Sequence, residues 1–349
     1  MLELVRVSFK KIGCKKAMTF EEYTDNVWRM TSHGRGEITT CYIVECGSNE
    51  LVLIDSGSNE RMGREIVRSM GQFSSGLELT NIILTHSHPE ILGGLATIKK
   101  AFPDVKINIH ESAKQVFEEG RKYVSTKQFP LDSPGSKITL AWKSPIFENY
   151  INLPKEINYL SGNDDLKIDD ETFIIQPSGG HSSDSIIIHA YNAKATFIGD
   201  EIGIYDNNEY SFFFDLTGSP DRRSKALHAV QKLKSKFVFS SNLSPIENAY
   251  LDEEVEAAIL AQEHFETTLR ECLLGYDSAR LSQIVDHVYS TLNIEWKSPY
   301  AELKVQESTI MRYLEMWKKN ELVTYNEQTK KYSYDKNKLG DDYDPYAPY

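Results

Sequence analysis

The sequence has few cysteines and no apolar run long enough to cross a membrane. Its four cysteines, Cys14, Cys41, Cys46 and Cys272, form no CxxC pair, which argues against a regular disulfide framework and favours reduced thiols. The apolar stretches fall short of the roughly 20 residues of a membrane helix. The first residues lack the basic start and apolar run of a signal peptide. We therefore expect a cytoplasmic protein with no membrane partner.

An excess of positive charge is also absent. The 349 residues include 39 Lys and Arg against 51 Asp and Glu, for a net charge of −12. This balance disfavours broad, non-specific binding to nucleic acid or to anionic membranes. A hydrophobic content of 40% and a charged content of 26% are typical of a soluble protein with a real core. The length leaves room for one large domain and a small one.

The central motif of the chain is Thr-His-Ser-His-Pro-Glu-Ile-Leu-Gly-Gly over residues 85–94. The apolar residues 81–84 directly before it predict a buried strand, which would deliver His86 and His88 to the strand end. Two imidazoles so placed can face one metal ion if the loop between them bends. The alternative interpretation is a solvated loop with two incidental histidines.

Three further strand ends carry candidate site residues. Asp55 follows the predicted strand 50–54 and begins Asp-Ser-Gly, which an Asx-turn would also explain. His181 lies on the Gly- and Ser-rich loop 178–185 between predicted strands. Asp200 ends a buried strand over 195–199, where its carboxylate would face the same open edge as the histidines; the alternative is a turn Asp. We interpret His110 and His189 as structural.

These motifs together resemble the metallo-β-lactamase superfamily, whose signature is Thr-His-x-His-x-Asp-His-x-Gly-Gly. The family's Asp-x-Gly, Pro-Gly-His and Gly-Asp motifs resemble the surroundings of Asp55, His181 and Asp200. The resemblance implies an α/β (α+β) protein with an αββα sandwich. It also implies that His86, His88, His181 and Asp200 are metal ligands. Asp55 would lie behind them and orient their loop by accepting the second N–H of a ligand histidine.

The chain departs from the signature at the second metal site. Glu90 stands where the family has Asp, Ile91 where it has His, and Asn242 near the place of a late His. Isoleucine cannot ligate, and Glu90 with Asp200 would leave only hard oxygen donors. We therefore predict a single Zn²⁺, with Fe or Mn as alternatives. Zinc would bring the pKa of water to roughly 7, with Glu90 as the general base.

This arrangement predicts a hydrolase of a small-molecule ester, thioester, lactone or amide, with unknown substrate-binding residues. Two alternatives stay open. One is a non-catalytic or regulatory protein, because second-site ligands are lost. The other is an iron dioxygenase using His86, His181 and Asp200, or a nuclease. A nuclease is disfavoured because two metals usually clamp the attacking and leaving oxygens.

The C-terminal third changes character. We predict a metallo-β-lactamase domain over 1–248, a helical, winged-helix-like domain over 249–337 and a flexible acidic tail over 338–349. Residues 280–336 hold nine basic and eight acidic residues, so the electrostatic footprint of a nucleic-acid reader is absent. Nucleic acid is thus a disfavoured partner, and packing, homodimerisation or a cap over the active site is favoured. The insertion 112–160 would form a substrate wall or a dimer surface, or simply pack.

Overall fold

The computed structural model describes residues 18–33, 38–124, 145–162, 164–206, 209–211, 217–233, 235–292, 309–335 and 338. Cys14, the middle of the predicted insertion and nearly all of the predicted acidic tail lie outside the described residues.

The first sheet has seven strands in sequential order, antiparallel from β1 to β4 and parallel from β4 to β7. Its strands are β1 (Glu21–Thr24), β2 (Val27–His33), β3 (Ile38–Cys46), β4 (Glu50–Ile54), β5 (Glu78–Ile83), β6 (Lys106–His110) and β7 (Asn158–Leu160). Because successive side chains point to opposite faces, Ile43 and Leu53 face one core, whereas Val44 and Val52 face another.

The second sheet has six strands in the order β15-β14-β11-β10-β9-β8, and only β11 and β14 are parallel among its pairs. They are β8 (Asp165–Ile168), β9 (Glu171–Pro177), β10 (Ile186–Ala190), β11 (Ala195–Gly199), β14 (Phe237–Ser240) and β15 (Ile246–Glu247). A separate hairpin pairs β12 (Ile204–Asp206) with β13 (Glu209–Ser211). Phe173, Phe197 and Phe239 pack between the two sheets.

Helices cover the outer faces of both sheets. The first sheet carries α1 (Glu60–Ser69), α2 (Pro89–Leu92), α3 (Leu95–Ala101), α4 (Lys114–Glu119) and α5 (Arg121–Tyr123), with 3-10 turns at Met70–Gln72, Glu111–Ala113 and Pro145–Tyr150. The second sheet carries α6 (Pro220–Gln231) and the first half of α7 (Asn248–Gly275). These four layers confirm the predicted αββα sandwich.

Helix α7 belongs to two cores. Its residues Leu251 and Val255 pack on the second sheet, whereas Leu269 and Leu273 pack in a C-terminal core. That core also contains α8 (Leu281–Thr291), α9 (Ile310–Lys319) and the three-stranded sheet of β16 (Ala279–Arg280), β18 (Lys331–Tyr334) and β17 (Val323–Asn326). The winged-helix-like interpretation predicts a wing of two strands, which the structure places at β17 and β18; the third strand, β16, is too short to recognise in the sequence. The winged-helix assignment and the domain boundaries stay predictions.

No helix within the described ranges combines the length and apolar character needed to span a membrane.

Candidate metal centre

The centre is built from loops at one end of the two sheets. His86 and His88 follow β5 and directly precede α2, whose first residue is Pro89. Proline suits the first helical position because its missing N–H would be unpaired there anyway. His181 lies on the loop between β9 and β10, and Asp200 follows β11. The carbonyl of Thr85 accepts a hydrogen bond of 3.0 Å from the N–H of Ile186, which joins the two sheets beside the histidines.

The double glycine after the histidines is required by close packing. A Cβ atom on Gly94 would lie 2.1 Å from the carbonyl oxygen of Ser56, and one on Gly93 would lie 2.2 Å from the carbonyl carbon of Ser58. No side chain fits at these distances. The glycines therefore let the loop after β4, which begins with Asp55, lie directly against the start of α3.

Three imidazoles and one carboxylate converge at the centre. The ring centroids of His86, His88 and His181 lie 4.6 to 4.9 Å apart, and all three side chains are buried. Nδ1 of His88 lies 2.8 Å from Nε2 of His181. Oδ2 of Asp200 lies 3.8 Å from Nε2 of His86 and 3.7 Å from Nε2 of His181. The structure thus brings together the four predicted ligands, and their donor set fits a divalent cation such as Zn²⁺.

Glu90 lies at the edge of the same cluster. Its Oε1 is 3.8 Å from Nδ1 of His88, and it forms a second potential ligand group with His86 and Asp200, whose donor atoms all lie within 4.8 Å of one another. The Glu90 side chain is 12% exposed, against 3% for Asp200. Of these two carboxylates, Glu90 is therefore the one that solvent reaches more easily.

Asp55 is linked to His86 through Thr85, whereas we expected it to accept a hydrogen bond directly from a ligand histidine. Its Oδ1 accepts hydrogen bonds from the backbone N–H and the hydroxyl of Thr85 at 2.8 and 3.0 Å. The Thr85 hydroxyl also lies 3.0 Å from Nδ1 of His86. Because an ionised carboxylate only accepts and a hydroxyl has one proton, Thr85 donates to Asp55 and accepts from Nδ1–H of His86. This relay leaves Nε2 of His86 unprotonated, the form that binds a metal.

Burial strongly affects the Asp55 carboxyl group. Desolvation raises its pKa from 3.8 to about 6, while the hydrogen bonds from Ser241 and Thr85 oppose that rise. The residue adopts a left-handed conformation with φ of 62°, which Asp tolerates better than most residues. The turn directs the side chain toward Thr85, the residue directly before His86; its role in orienting the ligands stays a prediction.

Ser241 is a partner of Asp55 that no feature of the sequence singled out. Its hydroxyl donates a 2.6 Å hydrogen bond to Oδ2 of Asp55, although 186 residues separate the two. Ser241 follows β14, whose parallel pairing with β11 carries it to the same edge as Asp200. The only signal was its place beside Asn242 at a predicted strand end.

The loop that holds His181 is supported by Glu201. Oε1 of Glu201 accepts hydrogen bonds from the Ser178 hydroxyl at 2.6 Å and from the His181 N–H at 3.3 Å. Burial raises the pKa of Glu201, against lowering contributions from the Ser178 hydrogen bond and the Arg223 charge. Arg223 is itself buried and donates to the carbonyls of Glu201 and Ile202. Neither Glu201 nor Arg223 was selected from the sequence, where they resemble an ordinary strand end and an ordinary helix residue.

Ile91 and Asn242, which stand at or near the family's second-site histidines, supply no imidazole to the centre. The Ile91 side chain is buried in the core between the first sheet and its helices, and its carbonyl accepts a hydrogen bond from Ser56. Asn242 is also buried, and its Oδ1 accepts a 2.7 Å hydrogen bond from Ser240. Ile91 therefore serves packing, and the Asn242 oxygen is already hydrogen-bonded.

The model of the metallo-beta-lactamase superfamily matches residues 34–239 of the chain. The chain belongs to the metallo-β-lactamase superfamily. Among curated members, the probable metallo-hydrolase YflN of Bacillus subtilis (strain 168) is 27% identical over 171 residues, which are 48% of this chain and 61% of that protein. The uncharacterized protein YobT of the same organism is 34% identical over 85 residues, or 24% of this chain and 35% of that protein. The matches thus span less than two thirds of either relative.

Solved structures share the metallo-β-lactamase fold over more of the chain. A beta-lactamase domain protein from Burkholderia ambifaria aligns with a TM-score of 0.70 at 14% identity, covering 92% of this chain and 95% of its own. The metallo-beta-lactamase family protein TTHA1429 from Thermus thermophilus aligns with a TM-score of 0.64 at 12% identity, covering 89% and 99%. At these identities, the likeness shows the fold alone.

Proposed function

We propose that this chain is a metal-dependent hydrolase that holds one Zn²⁺ and cleaves an ester, thioester, lactone or amide. The observation that carries the proposal is the convergence of three buried imidazoles with one buried carboxylate. Burying such groups is costly unless they are paired or bind a metal. The superfamily and the name of the YflN relative, a probable metallo-hydrolase, also support hydrolysis.

In this proposal, His86, His88, His181 and Asp200 hold the ion. When bound, the ion supplies Lewis acidity at the centre, enough to bring the pKa of water to roughly 7. The protein holds the ligands before the ion arrives: Thr85 sets the proton on Nδ1 of His86, and Glu201 supports the backbone of His181. Preorganised ligands avoid an ordering cost on binding.

Glu90 is the residue that we assign as general base. It accepts the proton of the attacking water, because it lies beside the histidines and is more exposed to solvent than Asp200. Proton transfer by such a group contributes typically 10² to 10⁴-fold to the rate.

The first experiment measures metal content of the purified chain by elemental analysis. Wild-type protein should hold about one zinc per chain, and His181→Ala should lose it. His264→Ala is the matched control, because His264 is exposed and lies on α7, outside the centre. The zinc-loaded protein is then assayed against esters, thioesters, lactones and amides, with Glu90→Gln expected to keep the ion and lose at least about 100-fold in kcat.

Other results would change the proposal in specific ways. Iron at the same stoichiometry would favour oxygen-dependent chemistry by His86, His181 and Asp200. Two ions per chain would contradict the conclusion that Ile91 and Asn242 abolish the second site. A chain that stays metal-free in zinc-replete medium would favour a regulatory role.

A further inference from the structure

A cavity of about 460 Å³ lies beside the loop that carries His181. The residues that line this cavity include His110 at the end of β6, Ser112 just beyond it, Ser178 and Ser183 on the His181 loop, and Arg222 and Lys225 of α6. We call these six residues the basic pocket. Its volume falls in the range of small-molecule sites.

The charge of the basic pocket is opposite to that of the chain. Among the described residues that line it, two are cations and none is a carboxylate, although the whole chain has a net charge of −12. Within the described part of the chain, neither Arg222 nor Lys225 makes an ion pair or a side-chain hydrogen bond. Both charges are therefore available to a ligand.

Arg222 lies directly against the loop that carries His181. Gly179 has a φ of +64°, and a Cβ atom added there would lie 2.9 Å from Nη1 of Arg222. Gly179 lies two residues before His181, and its lack of a side chain makes room there for the guanidinium group of Arg222. The flanking residues Ser178 and Ser183 line the same pocket, so the basic pocket and the metal centre share one loop.

The chemistry of these groups matches an anion. The guanidinium fork of an arginine pairs with carboxylate or phosphate through two parallel hydrogen bonds, and a lysine adds a compact point charge. Arg222 and Lys225 are three residues apart on α6, so they occupy neighbouring positions on its surface. The Ser112 and Ser183 hydroxyls can donate to remaining ligand oxygens.

We propose that the basic pocket binds an anionic group of the substrate, a carboxylate or a phosphate, while the scissile bond lies at the metal centre. This inference rests on the proposed hydrolase function. It narrows the substrate from any ester, thioester, lactone or amide to one with a negatively charged group beyond the reacting carbonyl.

The first test measures binding without catalysis. Metal-free protein is titrated with inorganic phosphate and, separately, with succinate, and the backbone amide signals of Gly179 and Ser183 are followed by NMR. We expect saturable shifts in wild-type protein and at least a tenfold weaker response in the Arg222→Gln/Lys225→Gln variant. Lys319→Gln/Lys331→Gln is the matched control, because it removes the same charge from the C-terminal region, outside the basic pocket.

The second test compares matched substrates with the zinc-loaded protein. One pair is 4-nitrophenyl acetate and mono-4-nitrophenyl succinate, and the other is S-acetylpantetheine and S-acetyl-4′-phosphopantetheine. The double variant should raise KM for the charged member of the preferred pair about tenfold, the lower end for a charged hydrogen bond. KM for the neutral members should change less than twofold. Within the succinate pair the change in KM tests the carboxylate, and within the pantetheine pair it tests the phosphate.

The two tests separate the two proposals. If no ester, thioester, lactone or amide is hydrolysed but the backbone N–H signals of Gly179 and Ser183 still respond to an anion, the hydrolase function fails and the anion site stands. If hydrolysis occurs but the double variant affects charged and neutral substrates equally, the basic pocket proposal is wrong. The same conclusion follows if neither anion shifts the Gly179 and Ser183 amides, or if the control variant loses the response equally.

Discussion

The hydroxyl oxygen of Thr85 lies 3.0 Å from Nδ1 of His86. Asp55 accepts a hydrogen bond from that hydroxyl, so the threonine connects a buried carboxylate to a predicted metal ligand. Supporting residues of this kind typically change metal affinity by 10 to 100-fold when they are lost. In the proposed metal centre, the relay would place part of the metal affinity in a residue that does not itself touch the ion.

Replacement of Thr85 by valine should weaken zinc binding. Thr85→Val keeps the shape but removes the hydroxyl, so Nδ1 of His86 loses its acceptor and the tautomer is no longer set. We expect zinc affinity to fall about 10 to 100-fold in competition with a chromogenic chelator. Thr85→Ser keeps the hydroxyl and should stay within about threefold of wild type on the same scale. Equal affinity of the valine and serine variants would show that the relay is unimportant.

The stability of metal-free protein should fall as pH rises through the pKa of Asp55. That pKa is about 6 in the folded chain against an ordinary 3.8, so the folded state binds the proton more tightly than the unfolded state. The resulting stabilisation is complete below about pH 4 and is lost as pH rises past 6, and it amounts to about 3 kcal/mol at most. Asp55→Asn removes this dependence.

Urea unfolding in the presence of EDTA measures the effect. The free energy of unfolding of Asp55→Asn minus that of wild type should increase between about pH 4.5 and pH 7.5, because only wild type loses stability over this range. Parallel pH profiles for the two proteins would contradict the raised pKa of Asp55.

Two adjacent arginines should differ sharply in their effect on stability. Arg223 is buried and donates to the carbonyls of Glu201 and Ile202 and to Oε1 of Gln262. Arg223→Met leaves these acceptors without their donor and should lower the free energy of unfolding by about 3 kcal/mol or more. Arg222→Met is the matched control, because Arg222 is exposed, and should change it by less than about 0.5 kcal/mol. Similar losses in both variants would contradict this account.

Helix α7 should couple the C-terminal core to the sandwich. Leu269 is completely buried on this helix, whereas Leu260 is 57% exposed. Leu269→Ala should cost about 2 to 5 kcal/mol, and Leu260→Ala less than about 0.5 kcal/mol. Because one continuous helix serves both cores, thermal unfolding followed by circular dichroism should stay a single transition in both variants. A separate early transition in Leu269→Ala would show that the C-terminal core unfolds on its own.

The sandwich was largely predictable because its strands are short apolar runs bounded by turn residues, and because the family motifs follow them in order. The core that each residue of a run faces was not predictable: Ile43 and Val44 are both apolar, yet they point to different cores. The C-terminal region was less predictable. Strand β16 has two residues, and such a strand exists only because β18 is there to pair with it.

The order of the elements and the set of candidate metal ligands follow from local sequence patterns, because His86, His88, His181 and Asp200 each come after a strong strand pattern. The residues that support these ligands become visible only in the folded chain. The Asp55 contacts with Thr85 and Ser241 and the position of Arg222 on Gly179 join residues far apart in the chain. Such contacts depend on how two twisted sheets and a helix pack together, and no local pattern of residues records that.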